Sequence, residues 1–258
     1  MEYFDLLSGE PVLLEGVGHV RSPKIRELFS SNQMGMYLYR LYVSFLTWDK
    51  EDVVKYDLLS GIKSAEKLLR EDLSVFDAIT IIPLTREFAM RVLSFFITET
   101  ISWDEKRMAF ILTNPGGESE EPPEEVGRID RRNFDRVKEA ILEMCYVGIG
   151  KDKAPIGHST KDSEDAWNRI QGYLKEQAKS PKEDKPEYHI ANIISKLCSA
   201  HPSYNLLNVF DLTVFQLYDA FFQLEYIRGS DLSERIFSIH GGKDFDIEKW
   251  LKPINQDQ

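Results

Sequence analysis

Ile190, Ile193, Ile194, Leu197 and Cys198 recur at i, i+3, i+4, i+7 and i+8 until Pro202 stops the run. That spacing lays five apolar side chains along one stripe of an α-helix. A one-striped helix has to bury the stripe against another element, so this segment commits the C-terminal part of the chain to packed helices. The next apolar run is wider. Val214, Phe215, Leu217, Tyr218, Phe221, Phe222, Leu224 and Ile227 follow Asp211 and Thr213, either of which suits an N-cap, and Thr213-x-x-Gln216 has the form of a capping box. A band this broad belongs either to the central helix of a C-terminal core or to a partner-binding face. Upstream, Phe134, Val137, Ile141, Met144 and Cys145 mark one helical face, and Trp167, Ile170 and Leu174 another.

The N-terminal part alternates differently. Residues 10–23 hold two short apolar runs around a glycine-containing turn, a β-hairpin signal. Ser22-Pro23 reads as N-cap and first residue of a helix through Ile25, Leu28 and Phe29 that breaks near Ser30-Ser31-Asn32. A helix at 33–47 carries Met34, Met36, Tyr37, Leu38, Leu41, Tyr42, Phe45 and Leu46. Residues 50–83 read as short helices with one strand, and 85–98 as a helix. Ile101-Ser102-Trp103 and Met108–Thr113 flank Asp104-Glu105-Lys106-Arg107 as a second hairpin.

From Asn114 to Glu125 turn formers combine with one sign of charge, too polar to be ordered by a core, and 177–187 reads as an exposed Lys/Glu/Pro-rich linker. The expectation is a mainly α fold with a small β component (α+β), without internal repeats or sustained heptads. It divides into an N-terminal α+β unit at 1–113, an acidic Pro/Gly linker at 114–128 and a C-terminal helical domain at 129–258. A chain of 258 residues is long enough for one large domain or two modest ones.

Composition narrows the function. Forty-three acidic against 32 basic residues leave a net charge of −11, which disfavours phosphate backbones and anionic membranes as partners. Met1-Glu2-Tyr3-Phe4-Asp5 lacks the basic start and apolar run of a signal peptide, and no stretch approaches the roughly 20 apolar residues that span a bilayer. A cytoplasmic location follows as the expectation. Cys145 and Cys198 sit among apolar residues and read as small buried hydrophobes; Cys198-x-x-His201 has no second ligand pair to complete a metal site.

Histidines 19, 158, 189, 201 and 240 are scattered, without H-E-x-x-H or a one-face pair, and read as surface or cap residues. Gly157-His158-Ser159-Thr160 sets a hydroxyl beside an imidazole in sequence only, and Gly16-x-Gly18 serves as a turn. Carboxylate pairs such as Asp104-Glu105 and Asp244/Asp246 are what chance provides among 43 acidic residues. No catalytic residue, metal or cofactor is assigned, and the chain reads as an interaction protein rather than an enzyme. The aromatic clusters supply the candidate partner-binding residues: Tyr37, Tyr42 and Phe45 in the 33–47 helix, and Phe215, Tyr218, Phe221 and Phe222 in the 213–227 helix. Core packing explains the same residues equally well.

Three stretches carry a resemblance. They are Leu6–Val12 with Gly16–Leu28, a hairpin leading through Pro23 into Ile25-Arg26-Glu27; Tyr37–Leu46; and Tyr204–Asp219, continuing to Ile236-Phe237-Ser238-Ile239-His240-Gly241-Gly242. In these the chain resembles tail-region proteins of phages of Gram-positive bacteria, in particular tail-assembly chaperones. The resemblance implies a non-enzymatic protein of the host cytoplasm that binds the tape-measure and tail-tube proteins during tail morphogenesis, with homo-oligomerisation open. A structural tail or baseplate component of the virion is the alternative it leaves, and an enzyme lacking a local motif is a second. Residues 50–187 lie outside it.

Overall fold

The computed structural model describes residues 1–29, 34–59, 73–114, 124–148, 168–176 and 189–240. They form a mainly helical fold with two small antiparallel sheets. In chain order these are α1 (Tyr3–Ser8), β1 (Val12–Leu14), β2 (Gly18–Val20), α2 (Ile25–Phe29), α3 (Met34–Leu46), α4 (Lys50–Leu59), α5 (Val75–Ile81), α6 (Pro83–Phe96), β3 (Thr100–Asp104), β4 (Ala109–Thr113) and β5 (Glu125–Ile129). Then come α7 (Phe134–Met144), a helix α8 described over 168–176, α9 (Ile190–Ala200), a 3₁₀ turn (Val209–Asp211) and α10 (Val214–His240).

Both expected hairpins form. β1 and β2 pair through Val12↔Val20, Leu13↔His19 and Leu14↔Gly18, and β3 and β4 pair from Thr100↔Thr113 to Asp104↔Ala109. β5 joins β4 on its far side, giving the order β3-β4-β5. The 114–128 stretch expected as a linker therefore ends in strand: the residues that follow its acidic run pair with β4 and finish on fully buried Ile129. Elements on either side of that stretch share one buried cluster, in which Phe76 of α5 meets Phe134 of α7 at 5.3 Å between ring centroids. Residues 115–123, the helix break expected near 30–32, Trp167 and the 177–187 segment lie outside the described residues.

Two local expectations are corrected. Among the described residues of 50–83 there is no strand, because Ser74 and Asp77 cap α5 reciprocally: Asp77 N–H donates to Ser74 Oγ at 3.2 Å and Ser74 N–H to Asp77 Oδ2 at 2.8 Å. Pro83 then opens α6 directly. Ser22-Pro23 does not start α2, which begins at Ile25. Ser22 is buried and serves the far end of the chain, its hydroxyl donating to the Met144 carbonyl at 2.9 Å and accepting the Phe215 N–H at 3.3 Å. The backbone beside it is likewise taken up, with Val214 N–H on Pro23 O at 2.9 Å and Ile25 N–H on Leu212 O at 2.8 Å.

That arrangement seats the first turn of α10 deep in the protein. Thr213 and Gln216 complete it as the expected capping box, Gln216 N–H reaching Thr213 Oγ1 at 3.2 Å and Thr213 N–H reaching Gln216 Oε1 at 2.9 Å. α9 packs along α10 through Ile190, Ile193, Ile194 and Leu197, all buried, as its spacing requires. His189 caps α9, its Nδ1 accepting the Ala191 N–H at 3.2 Å.

Candidate functional site

The seven candidate partner-binding residues separate on burial. Tyr37 is 60% exposed on α3. Tyr42 is half-buried, edge-on to Phe88 and Phe95 at 5.9 and 5.4 Å. Phe45, Phe215, Tyr218, Phe221 and Phe222 are buried among other rings: Tyr146 lies 5.1 Å from Phe215 and stacks on Tyr218 at 5.9 Å, and the Lys196 ammonium sits 5.1 Å over Phe221. A ring enclosed in this way reaches no partner in this conformation, so these five take the core role that the sequence held open beside the interface role.

Exposed apolar residues are scattered over the surface, Phe4, Leu13 and Tyr37 among them, and two stand side by side just upstream, in the loop between α9 and α10. Leu206 is 66% and Leu207 85% exposed. They are presented by a built loop rather than a slack one. Asn205 Oδ1 accepts the Leu207 N–H at 2.8 Å, Asn208 Oδ1 accepts the Asn205 N–H at 2.9 Å, and Asn208 Nδ2 donates to Ser203 O at 2.9 Å. Buried Val209 anchors the end of the loop. Phe210 follows, its ring edge-on to the exposed Phe29 of α2 at 6.0 Å, and Arg26 pairs with Asp211 at 2.9 Å beside it. Two neighbouring leucines fixed in water are unfavourable unless another surface covers them. Sequence periodicity missed them because a loop has none; the visible signal was the Asn205-Leu206-Leu207-Asn208 bracket itself.

The titratable clusters act as ties between elements. Glu99, buried after α6, accepts the His19 backbone N–H at 2.9 and 3.0 Å and lies 2.7 Å from His19 Nδ1. A Cβ on Gly18 would stand 2.8 Å from that carboxylate, so glycine is required where the strand passes it. Burial pushes Glu99 up, but hydrogen bonds from the His19 ring and backbone outweigh it and leave the carboxyl below its usual range. Asp219 in α10 contrasts with it: burial pushes its carboxyl up to about 6, against hydrogen bonds from the Tyr3 and Tyr146 hydroxyls. Tyr3 Oη donates to Asp219 at 2.8 Å and so ties α1 onto α10.

Cys145 and Cys198 are free thiols, the first fully buried and pushed up to about 12 by that burial, the second half-buried. Asp104 and Glu105 stand in ion pairs with Arg107 at 3.5 Å and Arg86 at 3.0 Å. No group of three or more His, Cys, Asp or Glu among the described residues could hold a metal ion, and no helix among them is long and apolar enough to cross a membrane. His158, the His240 side chain and Asp244/Asp246 lie outside the described residues.

Residues 179–255 match the family model of the YomV second domain, a phage-associated domain family. The match takes in α9, the loop bearing Leu206 and Leu207, and α10. It contains the third of the three stretches that resemble phage tail-region proteins, and the first two lie outside it. No curated protein and no solved structure matches the chain.

Proposed function

We propose that this chain is a non-enzymatic phage tail-assembly chaperone of the host cytoplasm, binding tape-measure and tail-tube proteins while a tail is built. The observation that carries the reading is the pair of leucines held in water by the Asn205–Asn208 bracket, within the stretch similar to a phage-associated domain. An assembly chaperone needs apolar surface that its client covers and later releases, together with enough net charge to stay dispersed while that surface is open. A loop locked by its own side-chain hydrogen bonds loses little further conformational entropy on binding. The first measurement is co-expression of the tagged chain with the tail-tube and tape-measure proteins of its own phage, read by capture and by the protein content of purified particles. Capture of those clients with absence from particles supports the reading. Presence in particles at fixed copy number makes the chain a structural tail component instead, and neither capture nor incorporation returns the enzyme alternative.

A further inference from the structure

Among the described residues no backbone-to-backbone hydrogen bond joins residues 1–11 to another element. α1 has six residues, too few for a helix to persist in water by itself, so its order comes from docking on α10. Leu6 is buried and Tyr3 and Leu7 are partly so, while Phe4 is 80% exposed. The Tyr3 ring stands edge-on to Phe215 at 6.2 Å, and its hydroxyl donates to Asp219 Oδ1 at 2.8 Å. Gln216 Nε2 donates to the Leu7 carbonyl at 2.8 Å.

The chain leaves this contact through Gly9. Its φ of 72° is left-handed, and a Cβ there would stand 2.8 Å from Gln216 Nε2. Glu10 and Pro11 beyond it are exposed. A helix joined to the fold through one glycine and two exposed residues can swing without disturbing β1.

Beneath α1 lies a carboxyl among phenols. Asp219 is buried and faces Tyr3 of α1, Tyr146 after α7 and Tyr204 of the α9–α10 loop. Tyr146 holds φ at 63°, a conformation that costs any residue with a Cβ, and that turn carries its ring to 5.1 Å from Phe215 and 5.9 Å from Tyr218. Burial pushes all three phenols up, so Asp219, pushed up to about 6, is the member of the cluster that changes charge between acid and neutral pH. A neutral carboxyl is tolerated under α1, whereas an ionised one is better solvated with α1 lifted. Docking is therefore strongest below about pH 4, the ordinary carboxyl range, and weakens as pH rises through about 6. One further titratable pair spans the contact, the Met1 amine 4.0 Å from Glu143 of α7.

We propose that α1 is a hinged strap that closes over the first turns of α10 in acid and lifts toward neutral pH, baring Phe215 and Asp219. The hinge is Gly9, and the trigger is the Asp219 carboxyl under Tyr3. The strap is separate from the Leu206–Leu207 loop and does not depend on the chaperone reading.

The test is hydroxyl-radical footprinting of the full chain at about pH 5 and about pH 8, read residue by residue by mass spectrometry. The proposal expects oxidation of Leu6 and Phe215 to rise about tenfold between the two, the factor supplied over that interval by a carboxyl whose value falls from about 6 to about 4 on release. Buried Phe110 and Ile129, away from the strap, should stay unchanged. Asp219→Asn, which keeps an acceptor for Tyr3 and leaves the Met1–Glu143 pair in place, should hold α1 closed at both pH values. Tyr3→Phe, which deletes the tie, should raise Leu6 oxidation at both. Equal oxidation of Leu6 and Phe215 at the two pH values in the unsubstituted chain overturns the proposal. So does a rise that survives Asp219→Asn, which would assign it to the Met1 amine, or one shared by Phe110, which would be opening of the whole fold. Leu6 oxidation in Tyr3→Phe no higher than in the unsubstituted chain overturns it as well.

Discussion

The α9–α10 loop and the first three turns of α10 are neighbours in sequence, both apolar, and lie on opposite sides of the protein surface. Leu206 and Leu207 stand in water, while Phe215, Phe221 and Phe222 are enclosed by α9, α7 and Tyr146. Apolar content does not separate the two; the backbone does. Along α10 a helical repeat carries each ring to the side where α9 and the Ser22 crossing wait, whereas the asparagine bracket fixes a loop that has no inner face to turn toward. A binding surface in this protein is therefore sought where apolar residues are held out, not where they are most numerous.

Truncation gives the largest effect that follows from this contrast. Phe221→Ala or Phe222→Ala is expected to cost about 3–5 kcal/mol in denaturant unfolding, as for a buried ring leaving a cavity. A cost below about 1 kcal/mol would put those rings outside the core. Next comes the buried carboxyl on the same helix. The folded pKa of Asp219 is raised to about 6, so its contribution is fully present below the unfolded value near 4 and declines as pH rises through 6. The loss is on the order of 3 kcal/mol, and Asp219→Asn should flatten that part of the pH–stability profile. Glu99, held below its usual range, runs the other way: its contribution is present at neutral pH and lost as pH falls, and Glu99→Gln should remove that acid-side loss.

A smaller cost, about 1–3 kcal/mol, is expected for Ser22→Ala, which leaves the Phe215 N–H and the Met144 carbonyl without their shared partner. Smallest of all, Leu206→Ser with Leu207→Ser should move unfolding by no more than about 0.5 kcal/mol, since neither side chain is packed. A large loss there would mean that the loop leucines hold the fold together and would erase the contrast.

What the sequence revealed of this follows the range of the interactions concerned. α9 was legible because its five-residue stripe obeys one period, and the α10 cap because Thr213 and Gln216 are three residues apart. Ser22 was misread as the cap of the helix that follows it because its real partners, Met144 and Phe215, lie 122 and 193 residues away. β5 was hidden because Glu125-Val126-Gly127-Arg128-Ile129 continues an acidic run and makes sense as a strand only once β4 is beside it. For α10, the apolar band fitted a core and an interface alike, and what lay against it decided between them. The loop leucines show the converse, a surface written in a four-residue bracket that no periodic pattern announces.

Co-purification of the Leu206→Ser/Leu207→Ser chain with co-expressed tape-measure and tail-tube proteins, measured against the unsubstituted chain, tests the central claim most directly. The account predicts that the variant keeps its unfolding midpoint and loses its clients. A variant that captures them as well as the unsubstituted chain does would contradict it.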